Sequence, residues 1–96
     1  MKERLETIIT KYEDLKQELT KQEVLADYNK LRTLSKEQKD LESIVNKYKE
    51  YLTSEKNIED AKILANDPEM HELAEETLAE ETANKERLEK ELELML

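Results

Sequence analysis

The sequence predicts an all-α protein: a short N-terminal helix packed on a long antiparallel two-helix hairpin, making a three-helix bundle with a projecting, coiled-coil-like prong. Three observations carry that expectation. Apolar residues recur at steps of three and four along three separate stretches, which lines one face of a 3.6-residue helix. Glycine is absent and proline occurs once, so little interrupts the helical pattern. The apolar positions of the second and third stretches also pair on a single antiparallel register.

The first helix is expected over 2–19, with Leu5, Ile8, Ile9, Tyr12, Leu15 and Leu19 on its inner face. The pattern lapses over Thr20–Asp27, where Val24 and Leu25 are adjacent and out of phase, and a loop is expected there. Asp27 is placed to cap the next helix, its carboxylate accepting from orphan amides of the first turn. That second helix is expected over 28–65, with Tyr28, Leu31, Leu34, Leu41, Ile44, Val45, Tyr48, Leu52, Ile58 and Ala61 in phase. At about 1.5 Å per residue it would be roughly 55 Å long.

Asn66-Asp67-Pro68 ends it, because the residue before a proline is pushed out of the helical region. The same triplet is expected to start the third helix, over 68–96, with Asp67 as N-cap and Pro68 at the first helical position. Met70, Leu73, Leu78, Leu88, Leu92 and Met95 carry that helix onward. If facing residue numbers sum to about 136, the pairs are Ile63 with Leu73, Ile58 with Leu78, Tyr48 with Leu88, Ile44 with Leu92 and Leu41 with Met95. Folded back through its loop, the first helix places Leu19 near Tyr28 and Leu5 near Leu41. Glu55 would then face Glu81, with Lys85 near Tyr51, so the middle of the hairpin is expected to be a weakly held polar notch. Residues 1–96 are read as a single helical domain, with a marginally stable, mobile tip.

Composition removes several classes of function. Without glycine there is no phosphate-cradling loop, and without cysteine no zinc knuckle, thiol nucleophile or disulfide. No apolar run approaches the roughly 18 residues of a membrane span, and no signal-peptide pattern opens the chain, so no membrane partner and a cytoplasmic location are expected. Charged residues make up 43% of the chain and the net charge is −9, which argues against nucleic acid as this chain's own ligand. The charge is uneven: residues 1–27 sum to −2, 28–66 to +1 and 67–96 to −8. Local basic patches therefore remain open.

No catalytic, cofactor-binding or metal-ligating set can be assembled. His71-Glu72-Leu73-Ala74-Glu75 begins like H-E-x-x-H, but Glu75 stands where the second histidine is needed and no other histidine exists. Glu72, Glu76 and Glu80 form an i, i+4 ladder, with Glu69, Glu75 and Glu81 beside it. On an open helix face such carboxylates lack the pocket that would tune them for acid–base work. They read as a solvated face partly offset by Lys56 and Lys62, or as a contact surface for a basic protein. Tyr48 is expected in the core; Tyr51, beside the notch, is expected to be partly buried, with exposure as the alternative in which the aromatic could anchor an interface. Glu81–Lys85 and Glu86–Lys90 have the helix-supporting order. No nucleophile–base pair can be argued, and no enzyme activity or cofactor is expected.

The order of short segments carries a resemblance. Arg4-Leu5-Glu6 with Tyr12 and Leu15, then Leu34-Ser35-Lys36-Glu37-Gln38 with Asp40-Leu41-Glu42, lead into Ile58-Glu59-Asp60-Ala61, Asp67-Pro68-Glu69-Met70 and Ala74-Glu75-Glu76. Together, across the whole chain, these resemble the N-terminal helical domain of bacterial peptide chain release factor 1, a class I release factor. Thr20-Lys21-Gln22 departs from the Ser-Asp-Pro type turn of many relatives. The resemblance implies a helical domain of a larger translation termination factor that binds the ribosome and directs stop-codon-dependent peptide release. It implies a protein-interaction role toward the large-subunit stalk base and toward the release factor glutamine methyltransferase. The family's codon-reading Pro-x-Thr loop and catalytic Gly-Gly-Gln loop are not in this sequence, so none of their residues carries over. The apolar run Leu92, Leu94, Met95 and Leu96 is expected to lead into a further domain. A stand-alone acidic coiled-coil adaptor acting by self-association is the competing expectation.

Overall fold

The computed structural model describes all residues from Met1 to Leu96 and contains helices only: α1 (Lys2–Glu18), α2 (Gln22–Leu25), α3 (Tyr28–Leu64) and α4 (His71–Met95). Packing divides the chain into two compact units, Met1–Asn46 and Lys47–Leu96, the boundary falling within α3.

In the first unit α1 lies against the first half of α3, with Leu5, Leu15, Val24 and Val45 buried. Lys11 Nζ of α1 sits 2.7 Å from Glu37 Oε1 of α3, as the antiparallel pairing requires. The expected loop contains one helical turn, α2. Of two adjacent apolar residues only one can point inward; Val24 does, at 4% exposure, while Leu25 stays in solvent. Asp27 caps α3 as anticipated, its Oδ1 accepting from the amides of Asn29 (3.1 Å) and Lys30 (3.2 Å). Tyr28 is not a core residue. It begins the helix on its outer side and is 73% exposed.

The second unit is an antiparallel hairpin of the second half of α3 and α4. Tyr48, Tyr51, Ser54 and Ala61 are buried from one helix, and Ala74, Leu88 and Leu92 from the other. Tyr48, Tyr51 and Ser54 step by three, Leu88 and Leu92 by four, and Ala61 and Ala74 lie whole heptads from Ser54 and Leu88, so each set stays on one helix face. At the tip the seam is made by Ala61 and Ala74, not by Ile63 and Leu73, which are exposed. Residue numbers 61 and 74 sum to nearly the expected register, so at the tip the helices face each other about as expected but with different residues inward, while Tyr48, Leu88 and Leu92 are buried as expected.

The turn between the helices also differs from the expected cap. Asp67-Pro68-Glu69-Met70 forms a β-turn, with the Met70 amide donating to the Asp67 carbonyl at 3.0 Å and proline at its second position. The Asp67 carboxylate accepts from the Glu69 amide at 3.0 Å. The helix starts only at His71, because the Asp-Pro pair satisfies a turn before a helix can begin.

Candidate interaction surfaces

The middle of the hairpin, expected to be weakly held, is pinned. Ser54 Oγ is buried at 1% exposure and donates to Glu81 Oε2 at 2.8 Å, with the Glu81 carbonyl oxygen 3.1 Å away. Next to it Lys85 Nζ lies 3.3 Å from Glu55 Oε2, reaching across the hairpin instead of pairing with Glu81 along its own helix. The same ammonium stands 5.7 Å from the Tyr51 ring centre, over a ring that attracts cations. Tyr51 is buried more fully than the partial burial expected, because residues 48 and 51 share a helix face: its ring stacks on Tyr48 with centroids 6.1 Å apart. The alternative of a solvent-facing aromatic anchor therefore does not hold, and Tyr51 is part of the core.

Nearly two turns beyond Lys85 toward the end of α4, Glu91 is held by two cations. Lys47 Nζ is 2.8 Å from Oε2, and Arg87 Nη1 is 2.9 Å from Oε1. Oε2 is closed off from water, and its contact with Lys47 is close but off the ideal hydrogen-bond angle. The Lys47 ammonium first, then the Arg87 guanidinium, hold this carboxyl below the ordinary carboxylate range.

At the turn, His71 Nδ1 is 2.7 Å from the Ala65 carbonyl oxygen, so in the Nδ1–H form the ring donates to the end of α3. The glutamate ladder runs from there: Glu72, Glu75, Glu76 and Glu80 are all exposed. No three histidine or acidic side chains converge closely enough to hold a metal ion. Lys56 and Lys62 are exposed and neither forms an ion pair with the ladder. Beside the ladder is a shallow apolar hollow lined by Asn57, Ala61, Leu64, Leu73, Ala74 and Thr77, with Asp60 on its rim. Sequence reasoning missed it because alanines carry little weight in an apolar pattern, although alanines on both strands of a hairpin mark where bulkier neighbours are forced outward. No helix is long and apolar enough to cross a membrane.

Comparisons with known proteins set these surfaces in a family. The chain is 45% identical over 93 residues to peptide chain release factor 1 of Campylobacter jejuni strain 81-176, covering 97% of this chain and 26% of that protein. It is 40% identical over 96 residues to peptide chain release factor 1 of a Nitratiruptor species, and 35% identical over 96 residues to that of Aliarcobacter butzleri. In both, the match covers 100% of this chain and 27% of the relative. The chain thus spans about a quarter of the length of the curated relatives it matches. No solved structure matches it. The family model described as the PCRF domain matches residues 8–96, and the chain belongs to that family of peptide chain release factor domains.

Proposed function

We propose that this chain is the ribosome-engaging helical domain of a peptide chain release factor, a binding module that places the factor rather than a catalyst. The observation that carries the reading is the match itself: 93 to 96 aligned residues, at 35–45% identity, to release factors about four times as long. On this reading stop-codon recognition and peptidyl-tRNA hydrolysis belong to other parts of the factor, since this sequence has no glycine for a Gly-Gly-Gln loop. The domain works in the cytoplasm and meets two partners, the stalk-base region of the large ribosomal subunit and the glutamine methyltransferase that modifies the factor. The acidic face of α4 and the apolar hollow at the turn suit protein contacts of that kind, a few apolar side chains ringed by charge.

The test is co-sedimentation of the purified chain with ribosomes through a sucrose cushion. The chain is expected in the pellet and should be displaced by a full-length release factor. A chain that stays in the supernatant, and that sediments alone as a tight dimer, would instead make it a self-associating adaptor.

A further inference from the structure

The first half of α3 has an outer face unlike the rest of the molecule. Helical periodicity places Tyr28, Arg32, Ser35, Lys36, Lys39 and Ser43 together on the side opposite Leu34, Leu41 and Val45. All six are exposed; the carboxylates Asp40 and Glu42 flank the row on either edge, one turn from Lys36 and Lys39, and none lies within it. Arg32, Lys36 and Lys39 form no ion pair in the structure, whereas Glu37, the carboxylate in their midst along the sequence, is engaged by Lys11 of α1 at 2.7 Å. A shallow groove lined by Asn29, Arg32, Thr33, Lys36, Glu37 and Asp40 runs along one edge of the face. In a chain of net charge −9, a row of three unneutralised cations is a local reversal of sign.

We infer that this face binds the phosphate backbone of RNA, with Arg32, Lys36 and Lys39 on successive phosphates and Tyr28 as a stacking platform for a base. The cations rise along the helix axis by about 6 Å and then about 4.5 Å, a row that follows a strand. Hydroxyls at Ser35 and Ser43 supply further donors to phosphate or ribose. Tyr28 distinguishes the ligand: exposed aromatics beside cations serve unpaired bases. An anionic membrane surface fits less well, because a helix lying in the interface must bury an apolar face, and the apolar face of α3 is already turned inward. The source of the RNA, the ribosome, rests on the release-factor reading; the RNA chemistry of the face does not.

The experiment titrates the whole chain with deproteinised ribosomal RNA across a range of salt. Three phosphate contacts predict a log–log salt slope of about −2 for single-stranded contacts. The triple variant R32Q/K36Q/K39Q should bind at least about tenfold more weakly at low salt, with the slope close to zero. Tyr28→Ala should weaken binding while leaving the slope unchanged. A control of equal charge change, K49Q/K56Q/K62Q on exposed lysines of the second unit, should bind as the unaltered chain does. Equal losses in both triple variants would overturn the proposal, as would no RNA binding at low salt. So would binding to phosphatidylserine vesicles in place of RNA, or a dimer that only R32Q/K36Q/K39Q dissolves. Ribosome co-sedimentation that persists in R32Q/K36Q/K39Q would sink this face and leave the release-factor reading standing.

Discussion

Ser54 shows how much one hydroxyl can decide. It is the single buried polar side chain of the core, and its partner Glu81 stands on the opposite helix of the hairpin. A serine inside an apolar seam is tolerated only if its hydroxyl is satisfied, and here a carboxylate does so. Ser54→Ala should cost about 1 kcal/mol in urea unfolding, modest because the half-exposed Glu81 can regain water. A double-mutant cycle with Glu81→Ala should give a coupling of about 0.5–1.5 kcal/mol, and no coupling would mean that the bond is incidental. Glu91 makes the pH-dependent counterpart. Its folded carboxyl titrates below the ordinary range, chiefly through Lys47 and then Arg87. Its contribution is therefore present above the unfolded carboxylate value and lost as pH falls through the lower folded value. The unfolding midpoint of the unaltered chain should exceed that of Glu91→Gln at neutral pH, and the gap should close in acid. A gap that widened in acid would show the cations are not what holds Glu91. Neither residue was visible in the sequence as a partner, since Ser54 lies 27 positions from Glu81. A polar residue on an apolar stripe announces only that some partner must exist.

At the scale of elements, local signals were readable and competing local signals were not. Asp27 before a periodic apolar run is one signal with one meaning, and the cap forms with two amides on its carboxylate. Asp67-Pro68 has two meanings, a helix start and a turn, and the chain takes the turn because four residues can satisfy their own hydrogen bond first. The helix periods themselves were legible, since buried positions in α1 and α4 follow the 3.6-residue spacing. What periodicity could not rank was size: Ala61 and Ala74 lie inside while Ile63 and Leu73 lie outside. The two aspartates should consequently respond differently to substitution. Asp27→Ala should destabilise the chain by about 0.5–2 kcal/mol, the usual effect of losing a helix cap. Asp67→Ala should cost less, because its carboxylate serves one exposed turn amide and the β-turn hydrogen bond is made by backbone. Equal losses in chemical denaturation would mean that Asp67 does act as a cap.

Over the whole molecule the balance of charge is the property most easily misread. The net −9 divides into nine cations against ten carboxylates in Met1–Asn46 and seven against fifteen in Lys47–Leu96. A single total argued against nucleic acid as a partner, yet the first unit is nearly neutral, and Arg32, Lys36 and Lys39, which form no ion pair, share one helix face. The second unit holds the repulsion. Glu72, Glu76 and Glu80 repeat at i, i+4 and none of them forms an ion pair, and each such like-charge pair costs about 0.2–0.5 kcal/mol. Opposing this are the cross-hairpin pairs Lys47–Glu91 and Lys85–Glu55, which are partly shielded and lose less to screening than fully exposed charges do. Raising ionic strength should therefore relieve more repulsion than it removes attraction. The urea midpoint of the chain is expected to rise between about 0.01 M and 0.15 M salt, as the screening length shrinks from about 30 Å to about 8 Å. Replacing Glu76 with Gln should produce part of that gain at low salt and reduce the remaining response. A midpoint that falls with salt would mean that the two cross-hairpin pairs outweigh the ladder, and that the acidic face of α4 is no liability to the fold that presents it.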